Sequence, residues 1–140
     1  PICSDSPDDR DDGFEQINLW HKERGFTPYN GWIYCGYNYV IRRSGLVECA
    51  RPDNVAGIHC SGHNAHSIGI CWVGREKISD EQRKAICQLV FSLLKTHGLN
   101  INQVHGHCEF NKGKTCPNLD MDELKAQIQA VPLSLGGLNG

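Results

Sequence analysis

The sequence predicts a single α/β domain in which one layer of β-strands is covered by helices. Three observations lead there. Apolar stripes with a period of about 3.6 residues alternate along the chain with short runs of aromatic and β-branched residues, a pattern that packs helices onto a sheet. At 140 residues the chain can bury one core and is too short for two. With 39% hydrophobic and 21% charged residues, its composition is that of a globular domain.

Each element has a local reason. Pro1 to Asp12 is polar and turn-forming, and reads as a loop entered from a first strand that is mostly missing. A helix is expected from Phe14 to Arg24, with Asp12 as its cap, Phe14, Ile17 and Trp20 or His21 on one face, and Gly25 as the stop. Thr27 to Cys35 is aromatic and turn-rich. Tyr37 to Ile41 and Leu46 to Cys49 flank Arg42-Arg43-Ser44-Gly45, which signals a hairpin. The Pro-, Asn- and Gly-containing stretch from Arg51 to Asn64 reads as a long loop of the kind that carries function, and Ser67 to Val73 as a buried strand. Ser79 with Gln82 makes a capping box for a helix striped by Ile86, Leu89, Val90, Leu93 and Leu94, ending at His97-Gly98. Ile101 to His105 is expected as a short strand and Gly106 to Asn118 as a loop. Asp120 with Glu123 caps a last helix that turns Leu124 and Ile128 inward and stops at Pro132. The domain is expected to span residues 1–131, with 132–140 a flexible tail.

Composition excludes several functions. Fourteen Lys plus Arg against sixteen Asp plus Glu give a net charge of -2, without the basic excess that nucleic acid or an anionic membrane surface selects. No apolar run reaches the roughly 18 residues needed to span a bilayer, and no secretory leader opens the sequence. These features point to a cytoplasmic protein with no nucleic-acid or membrane partner. Eight cysteines and seven histidines suggest a metal, yet no C-x-x-C pair occurs, so zinc ribbons and thioredoxin-like motifs are excluded. Cys71 and Cys87 fall inside apolar runs and read as inert core thiols. The fold should not depend on disulfides.

The segment from Val104 to Pro117 carries the most chemistry. His107 and Cys116, nine positions apart, can bring an imidazole and a thiolate to one ion across a Gly- and Lys-containing loop. Lys114 would set a positive charge beside them, where it lowers a thiol pKa or stabilises a developing oxyanion.

Four segments in order, Gly36-Tyr37-Asn38-Tyr39-Val40-Ile41, Gly45 to Pro52, Ala56 to Ile70 and Gly106 to Pro117, follow Trp20-His21 and Arg24-Gly25-Phe26. On these residues the chain, from about Cys3 to Val131, resembles the zinc-dependent N-acetylmuramoyl-L-alanine amidases of type 2, which include amidase-type bacteriophage lysozymes and the related peptidoglycan recognition proteins. The resemblance implies a central mixed sheet flanked by helices, and an endolysin-like monomer that cuts the amide bond between N-acetylmuramic acid and L-alanine in the cell wall. It implies His107 and Cys116 as zinc ligands, Tyr37 and Lys114 as catalytic residues, and His59 and Asn64 on the substrate side. Zinc would lower the pKa of bound water to about 7 and polarise the scissile carbonyl.

Two departures stand out. The family's first zinc ligand is a histidine at the end of its first strand, and here that position is Ile2; Cys3 would need a shifted register to replace it. The alternative function is therefore a catalytically weakened or silent peptidoglycan-binding module. The His107 to Cys116 loop is also one residue longer than in phage lysozymes. His63, His66 and His105 read as solvated loop histidines, His21 and His97 as surface or helix-end residues, and Glu48 and Arg51 either as contacts to sugar or peptide groups or as a hairpin ion pair.

Overall fold

The computed structural model describes residues 2–4, 6–59, 62, 64–106 and 119–132. Four strands form one mixed sheet: β1 (Ile2–Cys3), β2 (Tyr39–Ile41), β3 (Val47–Cys49) and β4 (Ile70–Trp72), in the order β1-β4-β2-β3. β4 runs parallel to both neighbours, with Cys71 opposite Ile2 on one side and Val40 on the other. The expected hairpin closes antiparallel, Val40 facing Glu48. The first strand is thus a two-residue edge whose line continues where Ser4 N–H donates to the Trp72 carbonyl at 3.0 Å.

Strand alternation divides the core between the two faces of the sheet. On one face Ile41, Ile70 and Trp72 pack against α2 (Asp80–His97) and α3 (Met121–Gln129), meeting Ile86, Val90, Leu93, Leu124 and Ile128. On the other, Val40, Cys71 and Val73 meet Ile17 of α1 (Phe14–Glu23), with Ile33 and Cys35. At roughly 1.5–3 kcal/mol for each fully buried aliphatic side chain, these two clusters hold the helices on the sheet. Among the described residues no helix is long and apolar enough to cross a membrane.

α2 carries the expected capping box, with Gln82 N–H donating to Ser79 Oγ at 3.1 Å and Ser79 N–H to Gln82 Oε1 at 3.0 Å. It stops at Gly98 in the left-handed region. Asp120 caps α3 through the N–H groups of Asp122 and Glu123.

Two expectations fail. Asp12 does not cap α1; Gly13 occupies the cap position, and the Phe14 N–H donates instead to Glu48 Oε1 at 3.0 Å, from β3. Asp12 pairs with Arg10. Ile101–Gln103 is a 3₁₀ turn and not a strand, because Asn100 caps it through the Asn102 N–H and Gln103 bonds back to the cap. Cys71 and Cys87 are buried free thiols, as expected, and Cys35 joins them; no disulfide links Cys35, Cys49, Cys71 or Cys87. Burial pushes the Cys35 thiol up to about 11. Of the stretch from 132 to 140, expected as a tail, residues 133–140 lie outside the described residues.

Candidate active site

The loops that carry the candidate residues are held by two buried polar side chains, Asn38 and Arg51. Asn38, fully buried before β2, accepts from the Gly69 N–H at 2.8 Å. Its amide donates to the Pro52 and Val55 carbonyls at 2.8 and 3.1 Å. Arg51 spreads its guanidinium over the carbonyls of Cys35 (2.9 Å), Thr27 (2.9 Å) and Ala56 (3.1 Å). A buried guanidinium needs its donors satisfied, and here the backbone of two loops supplies the acceptors. Glu48 caps α1 and Arg51 clamps backbone, so the expected hairpin ion pair between them does not form.

At the junction of these loops Gly36 lies so close to the 57–58 segment that a Cβ there would strike the Ile58 carbonyl. The Ile58 N–H donates to the Gly36 carbonyl at 2.8 Å. Tyr37 follows on one side of this contact and His59 on the other. The His59 ring lies against two glycines: a Cβ on Gly69 would come 2.5 Å from its Cδ2, and one on Gly57 2.6 Å. Asn64 Oδ1 accepts the His59 N–H at 2.9 Å. Of the sequence-predicted residues, Tyr37 and His59, both half-buried, therefore flank one backbone contact, and the half-buried Asn64 is bonded to His59.

His21, expected as a surface or helix-end residue, is buried in the last turn of α1. Its Nδ1 accepts the Gly36 N–H at 2.8 Å, and its ring stands edge-on to Tyr37 with centroids 5.3 Å apart. Burial, then the charges of Arg24 and Arg51, lower its pKa to about 4 against an opposing backbone hydrogen bond at Tyr34. The imidazole is neutral at pH 7. The sequence signal was available in Trp20-His21, on the same face as Ile17, but helical spacing alone does not distinguish a buried acceptor from an exposed ring.

His97 keeps its helix-end role and pairs with Asp53 Oδ2 at 3.0 Å. Asp53 also accepts from the Tyr39 hydroxyl. Burial alone would raise the Asp53 carboxyl, but the hydrogen bonds from Tyr39 and His97 outweigh it and hold it below the usual range. This chain of groups ties the 51–59 loop to β2 and α2. His105 is exposed, while His63, His107, Lys114 and Cys116 lie outside the described residues. Among the described residues no group of three or more His, Cys, Asp or Glu gathers to hold a metal.

A mixed sheet covered on both faces, with a tyrosine and a histidine brought together on loops at the strand ends, places the protein in the fold class of cell-wall amidases and peptidoglycan recognition proteins. The chain belongs to the N-acetylmuramoyl-L-alanine amidase family, whose model matches residues 8–119. It is 30% identical over 127 residues to the endolysin of Enterobacteria phage K11, a match covering 85% of this chain and 78% of that protein. The N-acetylmuramoyl-L-alanine amidase LysC from Clostridium intestinale URNW superposes with a TM-score of 0.76 at 25% identity, covering 91% of this chain and 81% of LysC. Drosophila peptidoglycan recognition protein SA shares the fold, with a TM-score of 0.52 at 23% identity over 62% of this chain and 49% of its own.

Proposed function

We propose that the protein hydrolyses the amide bond between N-acetylmuramic acid and L-alanine in peptidoglycan, with residues 1–131 as the amidase domain. One observation carries this reading above the others. The family match over residues 8–119 includes both the Tyr37–His59 junction and the loop from His107 to Cys116.

His107 and Cys116 would hold zinc. Imidazole and thiolate are the donors zinc selects, and among the described residues no rival set of three donors competes for the ion. When bound, zinc supplies Lewis-acid polarisation of the carbonyl and acidifies water to a pKa of about 7. The chain's own residues do the rest. Tyr37, fixed beside the Gly36 contact, offers a hydroxyl to the reacting atoms. Lys114 sets a positive charge where the oxyanion develops. His59 and Asn64 shape the substrate side, and the glycines against the His59 ring leave it little freedom to turn.

One sequence feature favours a second reading. Position 2, where the family has its first histidine ligand, is an isoleucine within β1, and an aliphatic side chain cannot ligate. A silent peptidoglycan-binding module would then remain. The test measures zinc per chain and hydrolysis of a muramoyl peptide by release of the new amino terminus. We expect less than one zinc per chain and weak hydrolysis. Binding of the muramoyl peptide without hydrolysis selects the second reading, and one tightly held zinc with full activity refutes the weight placed on Ile2.

A further inference from the structure

We propose that His21 is a positioning residue for the hydrolysis, acting through the Gly36 peptide on both Tyr37 and His59; this role rests on the amidase reading above. Gly36 is held on both of its peptide units. Its N–H donates to His21 Nδ1 at 2.8 Å, and its carbonyl accepts the Ile58 N–H at 2.8 Å. The next residue along one chain segment is Tyr37, and along the other His59. A single imidazole at the end of α1 therefore holds the 35–36 peptide, and the adjoining 36–37 peptide, which leads into Tyr37, accepts the Ile58 N–H one residue before His59.

Two aromatic rings flank His21. Phe26 covers its ring at 4.4 Å between centroids, and Tyr37 stands edge-on at 5.3 Å. The acceptor on Nδ1 places the ring hydrogen on Nε2. Asn18 holds the same segment from the other turn of α1, accepting the Tyr34 and Cys35 N–H groups at 2.6 and 2.8 Å. Residues 34–36 are therefore bound to one helix by consecutive backbone donors, and His21 serves the donor next to the catalytic tyrosine. Losing that bond frees the 35–36 peptide to rotate about Gly36, one residue before Tyr37, and misplacing a catalytic group by about 1 Å costs on the order of a hundredfold in rate.

Three variants separate positioning from simple stability. His21→Asn puts an acceptor oxygen close to the Nδ1 position, His21→Gln puts its amide near Nε2 instead, and His21→Leu has no acceptor. Each is measured for folding by amide NMR, for zinc content, and for kcat and KM on a muramoyl peptide. His21→Asn is expected to keep kcat within about threefold of the parent. His21→Gln and His21→Leu are expected to lose kcat about 10- to 100-fold, with KM changed less than about twofold and zinc unchanged. If His21→Leu does not fold, the contrast between His21→Asn and His21→Gln decides. Folded His21→Gln with parental kcat, or His21→Asn as impaired as His21→Gln, overturns the role while the parent's activity still supports the amidase reading. A parent that hydrolyses nothing overturns both.

Discussion

Protonation of His21 should destabilise the fold over a defined pH window. The ring's pKa drops from 6.5 to about 4 on folding. In that interval the unfolded chain binds a proton that the native chain refuses, so stability is full above about pH 6.5 and declines as the pH falls toward 4. Below about 4 both states carry the proton and this contribution is gone. The gap between 6.5 and about 4, at roughly 1.4 kcal/mol for each pH unit, corresponds to about 3–4 kcal/mol in full and about 3 kcal/mol by pH 4, a large share of the stability of a domain this size. The ring is 5% exposed, so solvent screening takes little from that figure. The assay is urea unfolding of the parent and of His21→Asn at steps from pH 4 to 7.5, with chelator present so that metal release contributes to neither. Asp8 and Asp53, whose carboxyls are held low, titrate identically in both proteins and cancel. The variant should lose a constant amount from altered packing, while only the parent loses about 3 kcal/mol more across the window. Parallel curves for the two proteins would refute the assignment of a buried, neutral His21.

Other perturbations test the same construction. Gly69→Ala should move the His59 ring, since the new Cβ would lie 2.5 Å from its Cδ2; a drop in muramoyl-peptide affinity with a shifted His59 NMR signal is the expected result. Asn38→Leu strands the Gly69 N–H and three carbonyl contacts in a buried place, and should cost roughly 3 kcal/mol or more in chemical denaturation. Among the described cysteines, Cys49 should react with a thiol reagent in the native state and Cys35, Cys71 and Cys87 only on unfolding, as their burial requires; mass spectrometry of labelled peptides reads this directly. Ile2→His should raise zinc occupancy and hydrolysis together, and no change in either would place the missing ligand elsewhere.

What the sequence revealed depended on how local each cause is. α2 and α3 were legible because a cap and an apolar stripe are written within one helix: Ser79 with Gln82, Asp120, Ile86, Val90, Leu124. The hairpin was legible for the same reason. The cap of α1 was not, because its acceptor, Glu48, comes from a strand 34 positions away. The turn at Ile101–Gln103 was missed because Ile101 and Val104 mimic a short strand, whereas the capping pair Asn100 and Gln103 decides the conformation. Tyr37, His59 and Asn64 are proposed from their motifs, and nothing local in those motifs says that the Gly36 and Ile58 backbones touch between Tyr37 and His59. Asn38, Arg51 and His21 act across 13 to 31 positions in the chain, and sequence spacing carries no sign of that.

These distant bonds explain how a site of some precision can stand on loops. The two apolar clusters fix β2 and β4 against the helices, but apolar packing is non-directional and would tolerate small slides of the connecting segments. Directional bonds remove that freedom where the chemistry is proposed. Asn38 joins the start of β4 to the 52–55 turn, Arg51 gathers the 27–35 and 56 carbonyls, and His21 fixes the peptide between them. All three side chains are buried, where losing a partner is costly. Each of these bonds joins groups of the chain itself, and none of those groups is a proposed zinc ligand. Peptidoglycan recognition by the Tyr37–His59 side should therefore survive loss of zinc, while hydrolysis should not. That difference separates an amidase weakened at Ile2 from a protein with no site at all.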